Sequence, residues 1–240
     1  MIILLSPAKT FNKHLIPSMI EPIFKKEASL LFRSLKKVPL LTLKTSMKLS
    51  DALLREVNGY LNEFGKTSYQ AITSYDGQAY KALDVRSLDD ETIQYASHHL
   101  YILSGMYGLL RAMDGIYRYR LEMQDKTIDN LYNFWKPKLY HYLKRNHAGD
   151  LIINLSSKEY EMVLDPRISY VNIQFYERTN QELKQLSMMV KTMRGKFARH
   201  LLIHRIEDIK TIKSVLIDNF KYDHSLSNDK NLVFVKEVSQ

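Results

Sequence analysis

Short apolar runs alternate with amphipathic stretches along the chain. The runs that predict strands are Ile2–Leu5, Ala71–Tyr75, Leu100–Leu103, Leu151–Leu155, Tyr170–Phe175 and Leu232–Val235. They are nearly continuous, as is typical of strands buried on both faces. The stretches that predict helices are Ser50-Asp51 through Asn58 or beyond, Ser87–His98 with Ser87 as its cap, Leu131–Asn146 and Gln181–His204. This alternation predicts an α/β (mixed α+β) fold with a central, largely buried sheet and flanking helices.

The organisation of the chain indicates one domain over residues 1–240. Only 8 Gly and 6 Pro are present, so long linkers are not expected. The segment 42–64 reads as helical throughout and could form a small helical subdomain. Gly195, inside the helical pattern of Gln181–His204, predicts a bend between two helical pieces.

The charge balance favours a polyanionic partner. There are 35 Lys and Arg against 26 Asp and Glu, a net charge of +9, and 16 Tyr that could stack on bases or pack in the core. The chain has no Cys, which excludes disulfides, thiolate metal sites and a cysteine nucleophile. We expect a cytoplasmic protein, because no apolar run approaches the roughly 20 residues of a membrane helix and nothing resembles a signal peptide.

Polar residues follow several of the predicted strands. Ser6 and Lys9 follow the first, Tyr80 follows the second, Ser104 follows the third, and Asn154, Ser156 and Lys158 lie at or beyond the end of the fourth. Binding sites of open α/β sheets gather beyond the carboxyl ends of strands, and hydroxyls, amides and ammonium groups suit a phosphate. One such loop is ordinary turn composition, but several together favour a shared anion site.

Two further clusters carry charge. In the run 114–123, alternation would place Arg118, Arg120 and Glu122 on one face and the tyrosines on the other, either to grip phosphate or as a solvated edge strand. The run 184–205 is basic with an apolar stripe, which fits either contact with a nucleic-acid backbone or a solvated helix face. His200 and His204 share that face, but the surrounding cations disfavour a metal, and we expect none.

Several motifs are spread in order along the chain: LLSPAKT at its start, LSGMYGLLRAMDGIYRYRLEM (103–123), LYNFW, LIINLSSKEY, RGKFARHLL and NLVFVK. Together they closely resemble the YaaA family of bacterial peroxide-stress proteins. The resemblance implies a cytoplasmic protein that limits oxidative damage by keeping free iron low. It also implies DNA binding through a positively charged cleft and a helix–hairpin–helix element, for which 42–64 and 105–108 are the candidates.

The resemblance also carries over residue by residue. Two positions depart from the family pattern, Ala112 where relatives often have Pro and Tyr75 where Phe is common. The matching positions are Ser6, Pro7, Ala8, Lys9, Thr10, Lys48, Ser50, Asp51, Gly77, Tyr80, Ser104, Gly105, Tyr107, Gly108, Arg111, Asp114, Tyr119, Arg120, Glu122, Met123, Trp135, Asn154, Ser156, Glu159, Tyr160, Arg194, Gly195 and Arg199.

Two functions remain open from the sequence. The first is non-specific binding of double-stranded or distorted DNA, and the second is catalysis on a nucleotide, nucleoside or damaged base, with Lys9 and Glu122 as the catalytic candidates. No cofactor is expected, and a small nucleotide-like ligand is the alternative partner. The candidate nucleic-acid or anion-binding residues are Ser6, Lys9, Thr10, Lys48, Ser104, Tyr107, Arg111, Arg118, Tyr119, Arg120, Asn154, Ser156, Arg194 and Arg199.

Overall fold

The protein is described by a computed structural model that covers residues 1–128, 130–180 and 182–238. The strands among these residues are Ile2–Leu5 (β1), Tyr69–Gln70 (β2), Leu100–Ser104 (β3), Gly108–Arg111 (β4), Gly115–Ile116 (β5), Ile152–Asn154 (β6), Val171–Thr179 (β7), Glu182–Lys184 (β8), Lys221–Tyr222 (β9) and Asn231–Glu237 (β10). The helices are Lys25–Lys37 (α1), Leu40–Ser46 (α2), Asp51–Glu63 (α3), Ala71–Ser74 (α4), Gln78–Leu83 (α5), Asp90–His99 (α6), Leu131–Asn146 (α7), Lys158–Glu161 (α8), Ser187–Ile203 (α9) and Ile209–Lys213 (α10). The predicted mixed α/β fold is confirmed.

One mixed sheet forms the centre of the molecule. Its strands lie in the order β4-β3-β1-β6-β7-β10-β9, with β8 paired to β7. The five strands from β3 to β10 are parallel, whereas β4, β8 and β9 run antiparallel at the margins. The carboxyl ends of β1, β3 and β6 therefore meet at one edge of the sheet. After β1 the chain first adds β3 on one side, and it later adds β6 on the other, so β1 and β6 flank a topological switch point.

Five of the six predicted strands are confirmed, and their burial explains why. All residues of β1 and β3 are buried, as nearly continuous apolar runs predict for strands covered on both faces. Two predicted helices are also confirmed. The hydroxyl of Ser50 accepts a hydrogen bond from Leu53 N at the start of α3, and α7 has the predicted bounds.

One predicted strand near the middle of the chain is wrong, and one predicted helix is confirmed with a later start. The run Ala71–Tyr75 forms α4 rather than a strand, because a short, fully buried apolar run has no periodicity that separates the two. The helix predicted from Ser87 begins at Asp90, because Asp89 Oδ1 accepts from Thr92 N at 2.8 Å and Ser87 belongs to a 3-10 turn.

The C-terminal basic stretch also differs from its prediction. Gln181 lies outside the described residues, and Glu182–Lys184 pairs with β7 as β8, so the helix begins only at Ser187. The predicted bend at Gly195 is wrong, because α9 runs through it. A Cβ atom at Gly195 would lie 1.9 Å from the Ala79 carbonyl oxygen, so this glycine permits α9 to pack closely on α5.

The helical segment 42–64 consists of two helices rather than one. α2 and α3 are separated by residues 47–50, and α1, which the hydrophobic pattern did not indicate, packs beside α3. The alternative helix–hairpin–helix position at 105–108 is wrong, because that turn joins the antiparallel strands β3 and β4. Among the described residues, every helix is too short or too polar to cross a membrane.

Candidate functional site

A cleft of about 440 Å³ opens at the carboxyl edge of the sheet, beside the switch point between β1 and β6. Its walls are the loop after β1, the start of α5, residues 119–122, the loop after β6 and one face of α9. The volume lies within the range of about 300–1,000 Å³ that is usual for small-molecule sites. The lining residues include Ser6, Lys9, Thr10, Gln78, Tyr80, Tyr119, Arg120, Glu122, Ser157, Glu159, Tyr160, Lys191 and Arg194.

The two loops that follow β1 and β6 are bonded to each other at the base of the cleft. Ser6 Oγ accepts a hydrogen bond from Ser157 N at 2.7 Å and donates one to Ser157 Oγ at 3.3 Å. The Tyr80 hydroxyl donates to the carbonyl oxygen of Ser6 at 2.9 Å. These bonds fix the position of both strand ends, and Ser157 Oγ keeps a proton that it can donate to a ligand.

One wall of the cleft holds a carboxylate between two cations. Glu122 Oε2 lies 2.6 Å from Lys9 Nζ, and Glu122 Oε1 lies 3.6 Å from Arg120 Nη2. Arg120 Nη1 also donates to the carbonyl oxygen of Lys9 at 3.2 Å. Glu122 and Arg120 are largely buried, whereas the Lys9 side chain is 61% exposed. The group is therefore ordered on the Arg120 side and open to solvent at Lys9.

Glu159 is a second carboxylate of the cleft, in a different environment. Burial raises the pKa of Glu159, and the negative charge of Glu122 raises it further. A hydrogen bond that Gln124 N donates at 3.2 Å lowers the pKa but does not cancel the effect of burial. Glu122 has cations on both oxygens, whereas Glu159 has none within salt-bridge distance among the described residues. Two carboxylates with such different surroundings are typical of an acid and a base.

Tyrosines form the apolar floor of the cleft. The Tyr119 hydroxyl oxygen lies 2.7 Å from Ser104 Oγ and 2.8 Å from the Tyr75 hydroxyl oxygen, all three being buried. Burial raises the pKa of Tyr119 to about 12, so its phenol is neutral at physiological pH. Tyr80 and Tyr160 are similarly buried, and all three tyrosines line the cleft.

The remaining wall is supplied by α9. Lys191 and Arg194 stand one turn apart on the face of α9 that lines the cleft. Lys191 is exposed, whereas Arg194 Nε is buried and has no hydrogen-bond partner among the described residues. Burial lowers the pKa of Arg194 to about 10, which still leaves the guanidinium charged at neutral pH.

Seven of the residues expected from the sequence to bind or catalyse line this cleft. They come from three segments far apart in the chain, and the sheet edge brings them together. They are Ser6, Lys9, Thr10, Tyr119, Arg120, Glu122 and Arg194.

Three of the other expected residues are arginines whose guanidinium groups form ion pairs or hydrogen bonds outside the cleft. Arg111 Nε lies 2.8 Å from Asp114 Oδ1, and burial raises the pKa of that aspartate. Arg118 pairs with Glu63 at 2.5 Å, and Arg199 Nη1 donates to the last carbonyls of α5 and its cap at 2.9 Å. These guanidinium groups hold elements together outside the cleft.

The expected polar residues outside the cleft are mostly buried. Ser104 Oγ accepts from Tyr107 N at 3.0 Å, and the Tyr107 hydroxyl accepts from Tyr117 N at 2.8 Å. Asn154 Oδ1 accepts from Ser156 N at 3.0 Å, and both residues are buried. Lys48 is exposed in the turn between α2 and α3, with a backbone φ of 52°.

Six polar lining residues were not among the expected site residues: Gln78, Tyr80, Ser157, Glu159, Tyr160 and Lys191. Ser157 and Glu159 lie within three positions after Ser156, so the strand-end rule that selected Ser156 could have found them. Lys191 stands three positions before Arg194, which is the spacing that places two helical residues on one face. Among the described residues, no group of three His, Asp or Glu side chains is placed to hold a metal ion.

Comparison with known proteins finds relatives along nearly the whole chain. The family described as peroxide stress protein YaaA matches residues 1–226. A UPF0246 protein of Francisella philomiragia is 35% identical, with 98% of this chain and all of the relative covered. A UPF0246 protein of Finegoldia magna is 36% identical over 98% of both chains, and one of Crocosphaera subtropica is 33% identical over 98% of this chain and all of the relative.

Proposed function

The chain belongs to the peroxide stress protein YaaA family, and from that premise we propose that it acts in the cytoplasm by binding DNA non-specifically along the cationic cleft. Bound protein would shield DNA, double-stranded or distorted, and so help to limit iron-driven oxidative damage. The observation that carries the proposal is the convergence of Lys9, Arg120, Lys191 and Arg194 on one cleft.

The charges of the cleft favour phosphate over other polyanion groups. Glu122 already compensates Lys9 and Arg120, which leaves Lys191 and Arg194 as cations without a salt bridge among the described residues. Arginine offers a planar pair of donors to phosphate, and lysine offers a point charge. These cations would contact the phosphate backbone, so the expected binding depends on backbone charge rather than on sequence.

The DNA proposal is tested by the salt dependence of binding. A fluorescently labelled duplex is titrated with the protein by anisotropy at several salt concentrations between about 50 and 200 mM. The affinity should fall with salt, with a logarithmic slope near −0.9 for each phosphate contacted. Replacing Lys191 by Ala and Arg194 by Met should reduce the magnitude of the slope by about 1.8, because two phosphate contacts are lost.

A matched control separates the cleft from general surface charge. Lys144 and Arg145 stand at the end of α7, which precedes β6 and so lies at the opposite, amino edge of the sheet. Replacing Lys144 by Ala and Arg145 by Met makes the same chemical change there, and its slope should equal that of the wild type. Equal losses in both double variants, or a flat salt response of the wild type, would refute the cleft as the DNA site.

The link to peroxide is tested in cells. A strain that lacks the protein is complemented with the wild type, the Lys191/Arg194 double variant or the Lys144/Arg145 control. We expect only the Lys191/Arg194 variant to fail in protecting chromosomal DNA against strand breaks after hydrogen peroxide. Full protection by that variant would separate the peroxide function from the cleft.

A second candidate function is catalysis on a nucleotide, nucleoside or damaged base. It is favoured by the two carboxylates, since Glu122 between two cations suits a general base and Glu159, with a pKa raised by burial, suits a general acid. Lys9 would hold the substrate phosphate or charge.

Turnover separates the two candidates. Nucleosides, nucleotides and duplexes with abasic or oxidised sites are incubated with the protein, and products are measured by mass spectrometry. A Glu122→Gln variant that loses turnover and still binds DNA supports catalysis. Absence of turnover with all these substrates, together with the expected salt slope, favours DNA binding alone.

A further inference from the structure

Arg194 is a cation that the protein itself leaves without a partner in the cleft. Its Nε is buried without a hydrogen bond, and no carboxylate of the described residues lies within salt-bridge distance of its guanidinium. By contrast, Arg111 and Arg178 each pair with a carboxylate at 2.9 Å or less. Arg118, whose Nε is likewise buried without a hydrogen bond, pairs with Glu63 at 2.5 Å, so the missing carboxylate is what distinguishes Arg194. Because a partly buried charge without a partner is unfavourable, an anionic ligand would complete this position.

The carboxylate that acts on Arg194 from a distance cannot serve as its partner. The charge of Glu161 raises the pKa of Arg194, against the larger lowering by burial. Glu161 is already bonded, with Lys158 Nζ at 3.2 Å from Oε2 and Asn172 Nδ2 at 3.1 Å from Oε1. Arg194 therefore stays available to a ligand.

The position of Arg194 is fixed before any ligand arrives. It precedes Gly195, where α9 touches the backbone of α5, and the neighbouring side chains of Met193 and Phe197 are buried in the core. Lys191, one turn earlier, adds an exposed ammonium at the same wall. The guanidinium of Arg194 is preorganised and so loses little freedom when it binds an anion, and Lys191 adds a second positive charge.

We infer that Lys191 and Arg194 bind a terminal phosphate monoester, as carried by a mononucleotide or by the end of a DNA strand. A monoester carries a charge of about −1.5 to −2 at pH 7, which the two cations match, whereas an internal phosphodiester carries one negative charge. Ser157 Oγ adds a donor at the same cleft. The cavity of about 440 Å³ lies within the size range of small-molecule sites and so suits one nucleotide. This inference rests on the proposed function only in using the same cleft as an anion site.

Calorimetric titration with three small probes tests the terminal phosphate. The probes are deoxyadenosine 5′-monophosphate, its methyl ester, which is a diester, and deoxyadenosine. We expect the monophosphate to bind at least about tenfold more tightly than the methyl ester, because the second negative charge gains a charged hydrogen bond. Equal affinity for monophosphate and methyl ester would overturn the inference.

Variants locate the site on α9. Arg194→Met should lower the monophosphate affinity by about tenfold or more, with the methyl ester and deoxyadenosine much less affected. Lys191→Ala, at an exposed position, provides a second variant whose folding is not at risk, and it should lower the same affinity. The Lys144/Arg145 control should bind as the wild type does, and unchanged affinity in both α9 variants would overturn the assignment.

The ends of DNA strands are compared in a separate titration. Single strands and duplexes with a 5′-phosphate or a 5′-hydroxyl are titrated under the same conditions. Tighter binding of phosphorylated ends supports the strand end as a source of the monoester, and binding of the mononucleotide alone supports a free nucleotide. If DNA binds with the expected salt slope but no probe or strand shows a preference for the monoester, the DNA proposal stands and the monoester inference fails.

Discussion

Replacement of Gly195 by Ala tests how the cleft wall is built. An added Cβ would lie 1.9 Å from the Ala79 carbonyl oxygen and 2.9 Å from Ala82 Cβ. To reach the 3.4 Å of an ordinary contact, α9 and α5 must separate by about 1.5 Å. Overpacking costs about 3 kcal/mol or more when backbone must move, and the higher helix propensity of Ala returns about 1 kcal/mol. We therefore expect a loss of about 2 kcal/mol in the free energy of unfolding.

A second glycine in a helix gives the matched control. Gly59 lies within α3, and an added Cβ would meet no atom within 4 Å. Gly59→Ala should stabilise the protein by about 1 kcal/mol, so the two variants should differ by about 3 kcal/mol in urea unfolding followed by circular dichroism. Because Arg194 adjoins Gly195, only Gly195→Ala should also weaken anion binding. A Gly195→Ala protein as stable as the wild type would refute the close packing of α9 on α5.

Three further predictions concern stability. Tyr119→Phe leaves the buried hydroxyls of Ser104 and Tyr75 without their shared partner, so urea unfolding should show a loss of about 1–3 kcal/mol; an unchanged midpoint would contradict the buried network. Hydrogen bonds from Ser225 and Arg178 lower the pKa of Asp223 to about 2. The contribution of ionised Asp223 to the free energy of unfolding is therefore full above the ordinary carboxyl pKa of about 4 and is lost as the pH falls towards 2. Asp223→Asn should therefore flatten the acid side of a stability–pH curve, and an identical curve would count against that pKa. Arg199→Met removes the donors to the Leu83 and Asp84 carbonyls, and amide exchange at the end of α5 should accelerate while that of α3 stays unchanged.

The sheet could be predicted from the sequence because its strands are buried on both faces. The runs 2–5 and 100–103 are continuous in apolar residues, as strands buried on both faces are, and both are strands. The run 71–75 has the same character and is helical, because its conformation is decided by long-range contacts. Its neighbour Tyr69 pairs with Ile116, far along the chain. Local pattern carries no information about such a partner.

The candidate site was predicted in part for the same reason. Ser6 and Lys9 follow a strand, so the rule that binding groups gather at carboxyl ends places them correctly beside the loop after β6. Arg111 and Arg118 look equally suited to phosphate in the sequence. Their carboxylate partners, Asp114 and Glu63, become visible only in the fold. Arg194 is distinguished from these arginines by the absence of such a partner among the described residues.

The central claim is that the cleft at the carboxyl edge of the sheet is the anion-binding site. A crystal of the protein soaked with deoxyadenosine 5′-monophosphate, and another grown with a short duplex, test it most directly. We expect phosphate density within hydrogen-bond distance of the Arg194 guanidinium and beside Lys191 in at least the nucleotide soak. Ligand bound elsewhere, for example at Lys48 in the turn between α2 and α3, with the cleft empty in both crystals, would contradict it.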